Sequence, residues 1–159
     1  MIVAITGHRA LTPTDEVLVT ARVDALIYDV RPTAVIFGGA LGVDTVALWA
    51  AMRPRTKGTV RLHRTRLVVI VPDTVRAQPH AAREAIRACA DEVVEMRNAI
   101  TRADGWAAYH ARNREMVDRA DAVLGFWTGD HASGTHSCLA YAARMGRVVW
   151  VEAIEGSGR

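Results

Sequence analysis

Three short stretches of this 159-residue chain combine glycine with polar side chains in a way that could hold a phosphate. They are Thr6-Gly7-His8-Arg9, Gly38-Gly39-Ala40-Leu41-Gly42-Val43-Asp44, and the loop from Gly129 to Thr135 that contains Ser133-Gly134-Thr135. In the second, the run Val35-Ile36-Phe37 stops at Gly-Gly and an apolar helical pattern begins. That is a strand, a tight turn and a helix N-terminus in succession. Glycine permits positive φ and lets a ligand approach the backbone. The first helical turn has unpaired N–H groups at the positive end of the dipole, so the combination is an anion cradle. A glycine turn also serves plain chain reversal. Two such loops opening on one crevice are a more specific sign of a nucleotide or sugar phosphate than either alone.

The side chains around these loops have both chemical and bland readings. Arg9 can pair with a phosphate through its planar fork, or be an exposed loop charge. His8 can donate a hydrogen bond or move a proton, or be a structural loop histidine. Asp44 sits in a first helical turn, where it can cap amides or hold a ribose hydroxyl, and it is the one weak catalytic candidate. Ser133, Gly134 and Thr135 offer backbone and hydroxyl donors, or an ordinary cap. Asn113 is a poor helix former inside Arg112-Asn113-Arg114, which suggests a specific partner; for the arginines a solvated helix face is the default. Trp106 and Tyr109, three apart, read as core or interface. The expected ligand-binding set is Thr6, Gly7, His8, Arg9, Gly38, Gly39, Ala40, Gly42, Asp44, Asn113, Arg114, Gly129, Ser133, Gly134 and Thr135. No P-loop, dinucleotide fingerprint or nucleophile elbow occurs, and the histidines lack zinc spacing, so no metal is expected.

The elements that must position these residues alternate. Strands are predicted at Ile2–Ile5, Ala34–Phe37, Leu67–Val71, Glu92–Met96, Ala122–Trp127 and Arg147–Val151. Between them lie helical patterns, the first opened by Thr12-Pro13 as cap and first position, with Val17, Ala21, Val23, Leu26, Ile27 and Val30 as its apolar face. The second is closed by Pro54; others run over Ala81–Ala90, Gly105–Arg119 and Thr135–Met145. Leu67-Val68-Val69-Ile70-Val71 lacks polar alternation, as in a strand buried on both faces. Strand–helix alternation predicts an α/β fold, a Rossmann-like three-layer sandwich with a mostly parallel sheet of about five to six strands. Ligands of such sheets bind beyond the carboxyl ends of the strands.

Length suits one domain, taken as residues 1–152 with 153–159 as a flexible tail. Half the residues are hydrophobic and 23% are charged, which excludes wholesale disorder. No apolar run approaches a membrane span and no signal-peptide pattern opens the chain. Cys89 and Cys138 are far apart and form no disulfide or metal pattern, so a reduced, cytoplasmic protein is expected. The net charge of +3 is mild. The stretch from Arg53 to Arg66 nevertheless holds Arg53, Arg55, Lys57, Arg61, Arg64 and Arg66 without one acid. It reads as a solvated edge, or as an anion-facing arm.

With these motifs in view, the chain resembles the SLOG superfamily of Rossmann-like proteins. This group includes the DNA-processing protein A family, the LOG phosphoribohydrolases and the YspA/YpsA-related proteins, the last being the nearest in pattern. The matching pieces are Ile5-Thr6-Gly7-His8-Arg9, Gly38 to Asp44, Ala111 to Met116 followed by Ala120-Asp121-Ala122-Val123, and Ser133-Gly134-Thr135, in the expected order over nearly the whole chain. The resemblance implies a pocket for a nucleotide or ADP-ribose-like ligand, and a homodimer or higher homo-oligomer. It departs from the LOG enzymes where their glycine motif ends in a catalytic Glu: Cys138 stands there. A neutral thiol cannot stabilise an oxocarbenium-like transition state as a carboxylate does, so whether the chain is an enzyme stays open.

Three functions follow, in order. The first is a nucleotide-ligand binding or sensing module. The second is a nucleotide-processing hydrolase of N-glycosidase type, working through Asp44 or another carboxylate. The third, disfavoured by the modest charge and the lack of an extra DNA-binding domain, is single-stranded nucleic-acid binding.

Overall fold

A computed structural model describes residues 1–56, 65–98 and 105–157. Six strands, β1 (Ile2–Gly7), β2 (Ala34–Phe37), β3 (Arg66–Val71), β4 (Glu92–Glu95), β5 (Ala122–Trp127) and β6 (Val148–Ala153), form one parallel sheet in the order β4-β3-β2-β1-β5-β6. Among the described residues five α-helices connect them: α1 (Pro13–Ala25), α2 (Val43–Thr56), α3 (His80–Cys89), α4 (Gly105–Arg119) and α5 (Gly134–Arg144). The fold is the α/β three-layer sandwich that the alternation predicts. No helix among the described residues is long and apolar enough to cross a membrane.

The apolar side chains of the sheet divide between two cores. Val3, Ile5, Val35, Phe37 and Val69 pack under α1, α2 and α3. Ala4, Ile36, Val68, Ile70 and Val123 point the other way and pack under α4 and α5 with Met116, Val117 and Leu139. This is the period-two alternation of a strand buried on both faces. Chain order runs outward from β1 through β2 and β3 to β4, then crosses back to β5 on the other side of β1. The switch point therefore lies between β1 and β5. Ile5 pairs with Phe37 on one flank and Leu124 on the other. The carboxyl ends of β1, β2 and β5 are thus level, and their loops leave from one edge.

Some boundaries differ from expectation. Thr12 and Asp15 make a reciprocal capping box at the start of α1. The buried stripe that follows is Asp15, Val19 and Val23, continued by Leu26 and Ile27 in a π-helical turn. Val17 is 70% exposed, and Ala21 and Val30 are exposed too, because they fall off that i, i+4 row. α2 runs through Pro54 to Thr56. Residues 153–157, expected to fray, are tied down. Ala153 extends β6, the Glu155 and Gly156 amides donate to the Asp15 carboxylate at 2.9 and 3.0 Å, and Ser157 N donates to Ala10 O at 3.3 Å. Burial alone would raise the pKa of Asp15. These amides, with the Thr12 amide and hydroxyl, hold it below its ordinary value.

Candidate functional site

At the switch point the loops after β1 and β5, the end of β2, helix α4 and residues 155–157 enclose a crevice of about 760 Å³. Its position is the one at which open α/β sheets bind ligands.

The floor is an ion pair. Asp44, in the first turn of α2, lies 3.7 Å from Arg112 of α4, and both side chains are almost fully buried. Asp44 Oδ2 accepts the Ala40 amide at 3.0 Å, which ties the β2–α2 turn to the helix it opens. Arg112 Nη1 donates to the Gly38 carbonyl. Burial pushes the Asp44 carboxyl up and the Arg112 guanidinium down, each toward its neutral form, while the partner's charge opposes the shift. Among the described residues, Asp44 Oδ1 and Arg112 Nε have no hydrogen-bond partner. The floor therefore retains polar capacity that its own contacts do not use.

The glycine turn is filled by protein. A Cβ on Gly38 would overlap the Arg112 guanidinium, and one on Gly42 would strike the carbonyl groups of His8 and Arg9. Gly42 also needs φ of 74°. Gly39, at φ 67°, faces Val69 and Val71. These glycines let Arg112 cross beneath the turn and let the β1 loop seat above it, where Val43 N donates to His8 O at 3.0 Å. Of this stretch only Ala40 and Asp44 line the crevice.

The open helix start belongs to α5. Ser133 is its cap, accepting the His136 amide at 3.1 Å and donating to Asp130 O at 2.7 Å. Its hydroxyl is thereby engaged. The Gly134 and Thr135 amides precede the first intrahelical bond and border the crevice. Nothing lies within 4 Å of where a Gly134 Cβ would sit. Asn113 Nδ2 donates to the Gly134 carbonyl at 3.4 Å, fixing this turn against α4. His8 Nε2 and Thr128 Oγ1, 2.9 Å apart, join the β1 and β5 loops.

The mouth is polar and aromatic, with Arg9 and the carboxylates of Asp130 and Glu155 around Tyr109 and Trp106. The Arg9 guanidinium stacks 4.6 Å from the Tyr109 ring centroid, and Arg112 lies 5.9 Å from the same ring. Trp106, 70% exposed, stands at the rim one helical turn before His110. Cys138 is buried beneath the β1 end. Burial raises its thiol to about 11, with Arg112 and a Thr6 hydrogen bond opposing, so it is a neutral thiol near pH 7.

Of the residues singled out from sequence, Thr6, Gly7, His8, Arg9, Ala40, Asp44, Asn113, Ser133, Gly134 and Thr135 come together around the crevice. Gly38, Gly39, Gly42 and Gly129 do not border it, and Arg114 faces a neighbouring groove. Arg112 and Tyr109, read from sequence as a solvated face and as core or interface, border it instead. Tyr109, Arg112, Asn113 and Met116 follow i, i+3, i+4, i+7, the inward row of a helix, and that spacing was the available signal. The role of Glu155–Ser157 has no signal in local sequence, since it depends on Asp15. In the basic stretch, Arg53 pairs with Asp24 at 3.8 Å and Arg66 with Glu92 at 3.7 Å. Lys57, Arg61, Arg64 and the side chain of Arg55 lie outside the described residues.

No family model and no curated protein matches the chain. Solved structures do. DNA processing protein A from Streptococcus pneumoniae superposes with a TM-score of 0.71 at 20% identity, over 94% of this chain and 49% of that one. DNA processing protein A from Helicobacter pylori gives 0.68 at 21%, over 95% of this chain and 64% of that one, and is described by its single-stranded DNA binding mode. The chain thus spans less than two thirds of either protein, and at this identity the likeness is one of fold. It corrects one expectation: nucleic acid, disfavoured above as a partner, is what a protein of this fold binds.

Proposed function

We propose that this chain binds single-stranded nucleic acid and seats one nucleotide of the strand in the switch-point crevice. The observation that carries the reading is the stack of Arg9 on Tyr109 beside the open start of α5. A phosphate there would meet the Arg9 fork and the amides of Gly134 and Thr135. A base at the rim would find exposed Trp106, and base–aromatic stacking contributes about 1–3 kcal/mol per base without sequence preference. The fold likeness to a single-stranded DNA binder supports the partner class. We read the chain, with residues 153–157 included, as a single domain of SLOG type, and give Asp44 the role of holding Arg112 under the crevice rather than of moving a proton.

A free nucleotide or ADP-ribose-like ligand is the second reading. One observation favours it: the crevice volume, about 760 Å³, lies within the range of small-molecule sites. Fluorescence anisotropy with labelled oligodeoxythymidine, beside calorimetry with free nucleotides, separates the two. Salt-dependent binding of the strand, weakened about tenfold by Arg9→Ala, is expected. Tight binding of a mononucleotide with none of the strand would replace the first reading by the second.

A further inference from the structure

Beside the crevice, between α4 and α5, lies a second groove of about 240 Å³. His110 and Asn113 border both, so the two hollows are contiguous along α4. In the groove Arg114 of α4 and Arg144 of α5 approach one ring, that of Tyr141, at 5.8 and 5.7 Å. The ring is held, because Tyr141 OH donates to Asp118 Oδ1 at 2.9 Å. Among the described residues neither arginine meets a carboxylate within 4.0 Å, whereas Arg22, Arg66 and Arg119 each do. Asp118 touches the cluster through Tyr141 OH, against two guanidinium groups. Ser137 adds a hydroxyl at the border, donating to Ser133 O at 3.3 Å and free to accept.

We infer that this groove binds the phosphate next to the one in the crevice, so that a strand runs from the Arg9–Tyr109 stack past His110 and Asn113 to Arg114 and Arg144. This rests on the single-strand reading above. Tyr109 and Arg114 lie about 7.5 Å of rise and about 140° of rotation apart on α4, and His110 and Asn113, which border both hollows, lie between them. Arginine on tyrosine leaves the outer edge of the guanidinium available to a phosphate oxygen. Arg114 and Arg144 are both exposed, so a phosphate reaches them without rearrangement of the core.

The test compares the full chain with Arg114→Ala/Arg144→Ala, both exposed positions that leave the fold intact. Affinity is measured by anisotropy over a salt series, for thymidine monophosphate and for an oligodeoxythymidine of about 15 nucleotides. The expected result is a loss of about tenfold for the oligomer only, with the salt slope shallower by about 0.7 for one phosphate contact removed. Equal oligomer affinity and slope in the two proteins overturns the groove and leaves the crevice reading standing. Equal losses for monophosphate and oligomer also overturn it, since the arginines would then act on the crevice. Failure of the unaltered chain to bind any strand overturns both.

Discussion

Arg112 and Asp44 form an ion pair 3.7 Å apart under the crevice, and Arg112 also bonds the carbonyl of Gly38. The glycine turn, the first turn of α2 and the inward row of α4 are thereby joined by one guanidinium. Removing one partner strands the other as a buried, unpaired charge, which costs about 3–5 kcal/mol. Asp44→Ala and Arg112→Ala are each expected to lower unfolding free energy by about that much in urea titrations. The double variant should lose less than their sum, since no charge is left stranded. Additive losses would mean that the pair is not coupled.

The glycines separate by what surrounds them. Gly42→Ala forces a Cβ against the His8 and Arg9 carbonyl groups at φ 74°, and should destabilise by more than about 1 kcal/mol. Gly134→Ala meets open space in a helical first turn and should leave thermal stability level or slightly raised. It should nonetheless weaken strand binding, because the new methyl borders the crevice. A large stability loss at Gly134 would refute the assignment of this glycine to the open side.

Asp15 gives the fold an acid limit. Its folded pKa is depressed below the ordinary 3.8 by amides from Thr12, Glu155 and Gly156. A depressed carboxyl contributes stability that is complete above the unfolded value and lost as pH falls through the folded one. Stability should therefore decline below about pH 4, and Asp15→Asn should flatten that decline. The same variant should loosen residues 155–157, seen as faster amide exchange at Glu155 and Gly156. Unchanged exchange there would contradict the anchoring.

Cys138 is buried, and its thiol, raised by burial to about 11, is neutral near pH 7. It should resist a thiol reagent in the native protein and react on unfolding. Rapid native labelling at Cys138 would contradict its burial.

The fold was legible because each strand announces itself. Leu67 to Val71 is apolar without alternation, as a strand covered on both faces must be, and Thr12-Pro13 marks a helix start that Asp15 completes as a box. The crevice was legible in part, since its position follows from strand order and the loops after β1 and β5 carry polar residues. What sequence did not show is what packs around the glycine turn. Gly38, Gly39 and Gly42 look like a phosphate cradle, but whether a glycine faces a ligand or another segment depends on Arg112, some seventy residues away. The error was in reading Arg112 as solvated. A charged residue within an i, i+3, i+4, i+7 row is buried only if a distant partner waits for it, and Asp44 gave no local sign of being that partner. The ranking of nucleic acid rested on net charge and on the lack of an extra DNA-binding domain, and neither says how single side chains such as Arg9 and Tyr109 are placed in a crevice.

The central claim is that the Arg9–Tyr109 stack holds a strand. The direct measurement is the affinity of labelled oligodeoxythymidine for the chain and for Arg9→Ala and Tyr109→Ala, across a salt series. Log affinity should fall with log salt at about 0.7 per phosphate neutralised. Arg9→Ala should weaken binding about tenfold and make the slope shallower. Tyr109→Ala, which removes the ring that Arg9 stacks on, should weaken it too, but less than Arg9→Ala does, by about 0.5–1 kcal/mol. Strand affinity that is independent of salt, or the same in all three proteins, would contradict the account.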